Sequence, residues 1–339
     1  MASIETSAIT DLPTPRDGIA ASLAVVLLAG TPVASLLAWV LGLGRFSVWF
    51  WRVSAPGVAG LIAVGWWLAS RRAGGRLHTA MVAGTIGGLI GTAGYDVFRL
   101  PFLIAGYRLL APIDSYGVLL LGAHGSSPLT GFAGWAYHVS NGVGFGIAYA
   151  AVAFGRRWWW GVLWAMTLET ATVLTPFVDT YGLRGRWGLI AIAYAAHVFY
   201  GLPLGRWVER ADARVAELRA ETAGRPAVLA LVGVGVGLLV WHQPWSVVGR
   251  GGDDDGGGAA DVRAGRFVPR WLHVAVDDCI EVHNGDGSSY AISGAGAATV
   301  ALPRRGTATV CFPEPGVHRI RTSAKPDAGG FVIVDEELT

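Results

Sequence analysis

Asp179-Thr180-Tyr181-Gly182-Leu183, followed by His197-Val198-Phe199-Tyr200-Gly201-Leu202-Pro203-Leu204-Gly205, is the stretch from which the fold is read. It has an echo upstream. Asp114-Ser115-Tyr116-Gly117-Val118 precedes His138-Val139-Ser140-Asn141-Gly142-Val143-Gly144-Phe145-Gly146. Both copies read D-[ST]-Y-G-[VL], a gap, then H-V-x-x-G-x-x-x-G, and each follows a Pro-Phe pair, at Pro101-Phe102 and Pro176-Phe177. Matched features in one order point to internal duplication of a two-helix unit, over about 78–155 and 158–207. At four-residue spacing the histidine and both glycines share one helix face, so a neighbouring helix approaches closely and the imidazole points into the contact.

Outward from these motifs the chain is apolar. Of 339 residues, 53% are hydrophobic and only 15% charged, with mean hydropathy +0.46. That balance is wrong for a soluble globule and right for a multi-pass membrane protein. The 49 glycines and 15 tryptophans agree, serving helix packing in lipid and the membrane interface. A net charge of +2 gives no nucleic-acid signal. Lys325 is the sole lysine, so no membrane segment offers a Schiff-base amine. Walker, G-x-S-x-G, dinucleotide and H-E-x-x-H motifs are absent, which leaves nucleotide-driven pumps, serine hydrolases and zincins without support.

Residues 1–17 read as a polar cytoplasmic tail and 18–245 as a bundle of about seven helices. The apolar runs fall near 18–43, 54–70, 78–95, 131–155, 158–177, 187–207 and 226–245. Between them, 96–122 is broken by Arg99, Pro101, Arg108, Pro112 and Asp114, and is expected to be interfacial or re-entrant. Arg71, Arg72, Arg76, Arg156, Arg157, Arg206, Arg210 and Arg214 share one side of this arrangement. The positive-inside rule then places the N-terminus in the cytoplasm and the C-terminal domain outside a cell membrane.

Ionisable groups in lipid cost about 2.5–3.5 kcal/mol each on insertion scales, so they face the bundle interior and pair. The candidates are His138, His197, Glu169, Asp96 and Asn141, with Asp114 and Asp179 as turn carboxylates at the outer surface. Asp96 also has Arg99 one turn on. Four readings stand for the histidines: a divalent metal ion with nearby carboxylates, axial haem ligation, a proton or solute path, and interhelical hydrogen bonding. No cofactor follows from the residues, and metal or haem stays open. An Asp before a hydroxyl residue and a glycine also makes an ordinary turn or helix cap.

Residues 246–265 read as a flexible Gly/Asp linker. From Arg266 the pattern changes to short alternating segments: 272–276, 279–283, 290–293, 307–312, 317–322 and 331–334. Those segments read as a small all-β sandwich over 266–339. Ile280 and Val282 face one way and Cys279 the other; Val310 and Phe312 leave Cys311 on the outward parity.

Phe267-Val268-Pro269, Leu272-His273-Val274 and Asp277-Asp278-Cys279-Ile280-Glu281-Val282-His283-Asn284 resemble the opening of a cupredoxin. Phe312-Pro313-Glu314-Pro315-Gly316-Val317-His318-Arg319-Ile320 resembles the strand before that family's copper loop, and Gly330-Phe331-Val332-Ile333-Val334 its closing strand. The resemblance implies a cupredoxin-like fold in which the two cysteine-bearing strands are neighbours. A Cys279–Cys311 disulfide on the outer face is expected, favoured by an oxidising compartment. The copper ligands do not carry over. The first His would fall near 288–290, the Cys at Thr322, and the second His and Met within 323–329, and none is there. His273, His283 and His318 remain as strand histidines.

The leading functional expectation is a lipid-embedded bundle carrying an outside, copper-free domain that binds a protein or small-ligand partner. The alternatives are a metal- or haem-linked redox protein using His138 and His197, and a proton or small-solute transporter using Glu169.

Overall fold

The computed structural model describes residues 15–70, 75–104, 113–213, 258–294, 297–325, 327 and 329–335. The N-terminal part is helical. α1 (Pro15–Ala29) and α2 (Thr31–Val40) meet at a 51° bend. Pro32 lacks the N–H that would continue the ladder, and Gly30 weakens the turn before it. α3 (Phe46–Trp49) passes through a π-turn, Phe50–Ser54, into α4 (Ala55–Ser70). α5 (Gly75–Ile104), α6 (Ile113–Leu121), α7 (Pro128–Ala153), α8 (Trp159–Val173), α9 (Phe177–Thr180) and α10 (Trp187–Ala213) follow.

By length and composition, Phe46–Ser70 and Trp187–Asp212 can each cross a membrane, and the bent α1–α2 pair makes a third. The sequence led us to expect about seven. At 30 and 26 residues α5 and α7 are long enough. Their Gly and Thr content, with Asp96, Arg99, His138 and Asn141, dilutes their hydropathy. α8 has only 15 residues. The expected span at 226–245 lies outside the described residues.

Two boundaries differ from the sequence reading. α5 does not stop at Tyr95 but continues through Asp96, Arg99 and Pro101 to Ile104. Pro101 lies in the last turn, so the ladder it interrupts has only three residues left to run. Strand pairing also begins before Arg266, at Ala259, within the expected linker.

α5 is the spine of the helical part and has two glycine faces. A Cβ on Gly84 or Gly88 would lie 2.6 or 2.7 Å from the carbonyls of Gly146 or Gly142 in α7. One on Gly87, Gly91 or Gly94 would lie 2.8, 2.8 or 2.5 Å from atoms of Leu204, Tyr200 or Phe199 in α10. At such separations any side chain would force the helices apart.

Among the described residues the C-terminal part has nine strands. β1 (Ala259–Arg263), β2 (Arg266–Val268), β4 (Cys279–Asn284) and β7 (Thr307–Cys311) form one sheet in the order β2-β1-β4-β7. β3 (Trp271–Ala275), β9 (Gly330–Asp335), β8 (Gly316–Thr322), β5 (Tyr290–Gly294) and β6 (Ala297–Leu302) form the other, in the order β3-β9-β8-β5-β6. Phe267, Ile280, Val282, Phe312, Ile320 and Val332 fill the space between the sheets. Cys279 lies opposite Cys311 across β4 and β7, and the two are joined by a disulfide on the exposed parity, as expected.

The β-domain is seated on the helices rather than tethered beside them. Trp271, Val317, Phe331 and Ile333 share a buried cluster with Leu36, Trp39, Val40, Phe46, Val118 and Tyr137. Both D-[ST]-Y-G motifs are part of this seat. Trp271 Nε1 donates to Ser115 Oγ at 2.9 Å, and its ring stacks on Tyr181 at 5.0 Å. The Arg270 amide donates to Thr180 O at 3.2 Å. The Arg270 guanidinium lies 4.4 Å over the Trp39 ring and donates to Trp39 O at 3.2 Å. The Arg319 amide reaches His124 O, and the Ser126 amide Val317 O, both at 3.1 Å.

Candidate functional site

The two H-V-x-x-G-x-x-x-G segments face two segments of matching pattern. In the first, Gly88, Thr92 and Asp96 of α5 run against Gly146, Gly142 and His138 of α7. A Cβ on Gly146 would be 2.6 Å from Gly88 Cα, and one on Gly142 1.8 Å from Thr92 Oγ1. The third rung is a polar contact, with His138 Nε2 at 3.2 and 3.1 Å from the Asp96 oxygens. In the second, Gly161, Ala165 and Glu169 of α8 run against Gly205, Gly201 and His197 of α10. A Cβ on Gly161 would be 2.7 Å from Gly205 Cα, and one on Gly201 2.8 Å from Ala165 Cβ. His197 Nδ1 lies 3.3 Å from Glu169 Oε2.

Each histidine therefore has its own carboxylate, one helix away and at the same rung. The pattern small-x-x-x-[AT]-x-x-x-[DE] in α5 and α8 is the signal that sequence reasoning missed. It is short and common, and only the facing H-x-x-x-G-x-x-x-G gives it meaning.

Tyr95 joins the two pairs. Its ring centroid is 6.3 Å from that of His138 and 5.1 Å from that of His197. The Arg99 guanidinium lies 5.1 Å from the Tyr95 centroid and 3.6 Å from Asp96, so the expected Asp96–Arg99 pair is present beside the histidine pair. The surroundings are tight. Tyr200 donates to Gly142 O at 2.7 Å, and Phe199 stacks on Phe98 at 4.4 Å. Glu169 is 1% exposed, and its Oε1 has no hydrogen-bond partner among the described residues. His197 Nδ1 also faces Ala193 O at 2.9 Å; an N–H there donates to that carbonyl with Glu169 alongside. Asn141 neighbours the Tyr137 hydroxyl, and its Oδ1 has no partner among the described residues.

The turn carboxylates are not part of this group. Asp114 opens α6 and is half-buried beside Gly131, 3.3 Å from where that residue's Cβ would lie. Asp179 is clasped by Arg184 through Nε and, at 2.8 Å, through Nη2, which holds its carboxyl below the usual range. The two motifs also differ in form. Gly117 is inside α6, where a Cβ would lie 1.7 Å from Thr130 O, whereas Gly182 turns the chain at φ +66°.

Among the described residues no group of three or more His, Cys, Asp or Glu could hold a metal ion. In the β-domain, Thr322 stands where the cupredoxin resemblance puts the copper thiolate. It is buried and donates to Gly265 O at 2.7 Å. Both cysteines are consumed by the disulfide. His318 Nε2 is 2.7 Å from Glu314 O, whereas His283, in the other sheet, has Nδ1 3.4 Å from Oγ1 of its cross-strand neighbour Thr307. A type 1 copper site needs two imidazoles and a thiolate together, so this donor set does not fit one.

Compared with known proteins, the chain matches no protein-family model and no curated protein. Among solved structures it is similar to a methionine-to-alanine variant of amicyanin with Cu(I), at 22% identity and TM-score 0.21 over 24% of this chain and 84% of that one. It is also similar to a purple cupredoxin from Nitrosopumilus maritimus, at 19% identity and TM-score 0.20 over 23% of this chain and 99% of that one. The C-terminal quarter of the chain is the part that matches amicyanin and the cupredoxins.

Proposed function

We propose that this chain is a multi-pass cell-membrane protein with its N-terminus in the cytoplasm and its β-domain outside, and that its duplicated bundle carries protons, alone or with a small solute. The observation that carries this reading is Glu169: buried, with Oε2 facing His197 and Oε1 without a partner. An ionisable group kept in lipid at a cost, with one oxygen left over, is what a proton or cation site needs. Tyr95 and the Asp96–His138 pair extend that site into the other copy.

Several contacts support the topology. Trp39, Ser115, His124, Ser126 and Thr180, which meet the β-domain, all lie at connections between long helices. At the connections between the opposite helix ends, Arg76 donates to Phe154 O at 3.3 Å and Arg206 lies over Trp158 at 5.4 Å. Arg76, Arg156, Arg157, Arg206 and Arg210 lie toward the end away from the β-domain and Arg45, Arg52, Arg99, Arg184 and Arg186 toward the other; the assignment of the first end to the cytoplasm rests on the positive-inside count over the whole sequence. The matched rungs support the duplication, with helix–short helix–helix as its unit: α5-α6-α7 and α8-α9-α10.

The test is proton flux into liposomes reconstituted with the full chain, read by an internal pH dye under an imposed gradient. We expect flux in the wild type and its loss in Glu169→Gln and His197→Ala. Equal flux in wild type, both variants and empty liposomes sinks the reading.

A second reading is an interaction module for an outside protein or small ligand. It is favoured by the outer face of β4 and β7. Cys279, Glu281, His283, Thr307, Thr309 and Cys311 present a polar, exposed face there.

A further inference from the structure

A cleft of about 330 Å³ opens at the seam between the β-domain and the turn after α2. Gly42 and Gly44 form one wall, and Arg266, Lys325 and Asp327 the other. Gly42 adopts φ +73°, and the Arg266 guanidinium is laid on it so closely that a Cβ there would be 1.9 Å from Nη2. Arg266 Nε is buried and has no hydrogen-bond partner among the described residues.

The charges around this cleft are unbalanced. Asp327 is taken by Arg45 at 2.6 Å. Burial and the field of Arg266 push Arg270 down to about 10. Burial and the field of Arg321, with Arg45 adding to it, push Arg319 down to about 10, against the pull of Asp327. Asp286 feels the Lys325 charge but is held low chiefly by the Gly265 and Ala264 amides. Guanidinium groups that repel one another, with one donor unused, make a site that a multiply charged oxyanion completes.

We propose that the cleft binds a phosphate group, with Arg266 and Lys325 as its donors. Leu41 and Leu43, 43% and 62% exposed, flank the turn and would lie in the outer lipid interface. A phospholipid headgroup and free phosphate share the required chemistry, and the experiment separates them.

The full-length protein is placed in dodecyl maltoside micelles, which carry no phosphate, and titrated with inorganic phosphate, with chloride at matched ionic strength as reference. Unfolding temperature and the ³¹P line width of phosphate are read. A parallel set contains phosphatidylglycerol and no phosphate. A rise in unfolding temperature with phosphate identifies the free anion; a rise only with phosphatidylglycerol identifies the headgroup. In either case Lys325→Gln, an exposed position that leaves the fold intact, weakens the effect about tenfold or more, as losing a charge-assisted hydrogen bond does. Gly42→Ala keeps every charge but displaces the Arg266 guanidinium, and is expected to do the same. The proposal is overturned if neither probe stabilises the wild type beyond chloride, or if Lys325→Gln and Gly42→Ala respond as the wild type does. Proton flux is a separate readout, so failure here leaves the reading of Glu169 untouched.

Discussion

The hydroxyl groups of Tyr116 and Tyr181 lie 3.2 Å apart, and each belongs to one of the two D-[ST]-Y-G motifs. Two segments 65 positions apart in the chain therefore meet through the same residue of the same motif. The hydrogen bond is shared, so removing either hydroxyl leaves the other unsatisfied in a buried site. Tyr116→Phe and Tyr181→Phe should each cost about 1 kcal/mol, and the double variant less than the sum. A double-mutant cycle on urea or thermal unfolding of the detergent-solubilised protein measures the coupling. Strict additivity would show that the two hydroxyls do not interact.

Trp271 is the residue through which the β-domain is seated. Its ring touches Tyr181, Trp39 and Phe331, and its N–H reaches Ser115. Trp271→Ala is expected to cost about 3–5 kcal/mol, the range for deleting a buried aromatic side chain. Ser115→Ala should cost nearer 1 kcal/mol. Protease sensitivity of the β-domain should rise in the first variant and barely change in the second.

Glycine variants in α10 should separate packing from propensity. A Cβ on Gly201 would lie 2.4 Å from Gly161 O, whereas Gly188, in the first turn of the same helix, has nothing within 4 Å. Gly201→Val is expected to lose about 1–3 kcal/mol or more by overpacking. Gly188→Ala should gain up to about 1 kcal/mol from helix propensity. Monodispersity and unfolding temperature in detergent read both.

The resemblance between these helices was partly legible in the sequence, and the reasons differ by element. His138 and His197 stood out because a ring at the head of a glycine ladder is visible in one dimension. Glu169 and Asp96 stood out as charges among apolar neighbours, but their assignment to particular histidines depends on which helices touch. The continuation of α5 past Asp96 was hidden because Arg99 and Pro101 look like breakers. Arg99 in fact lies against Asp96 and the Tyr95 ring, and Pro101 falls in the last turn. In the β-domain, alternation about Ile280, Val282 and Val310 put both cysteines on the outward parity, and the cupredoxin resemblance implied that their strands are neighbours. The seating on the helices was not read, although a signal existed. Phe331-Val332-Ile333-Val334 is apolar on both parities, and a strand buried on both faces needs a cover. β1 fell in a stretch whose glycines and aspartates resemble a linker.

The disulfide should matter to stability. Cys279 and Cys311 are 32 positions apart, and closing a loop of that length restricts the unfolded chain by roughly 3–4 kcal/mol. Cys279→Ser with Cys311→Ser is expected to lower β-domain stability by that order. In protein purified without reductant, alkylation followed by mass analysis should find both sulfurs blocked.

Acid should loosen one turn of the β-domain before others. Asp286 accepts the Ala264 and Gly265 amides at 2.8 Å each, and these bonds hold its carboxyl below its ordinary value of 3.8. A depressed folded value means that the stabilisation is present above about pH 3.8 and is lost as pH falls through the lower, folded value. Asp286→Asn should remove this dependence. Hydrogen exchange at the Ala264 and Gly265 amides, corrected for intrinsic rates, should accelerate at low pH in the wild type and be fast at every pH in the variant.

One consequence follows from where the β-domain sits. Through Trp271 and Arg270 it holds Ser115 of one D-[ST]-Y-G motif and Thr180 and Tyr181 of the other at the same time. It is a clamp on both motifs at one end of the helices. On the transport reading proposed above, rocking of α5–α7 against α8–α10 would pivot at that end and swing widest at the opposite mouth.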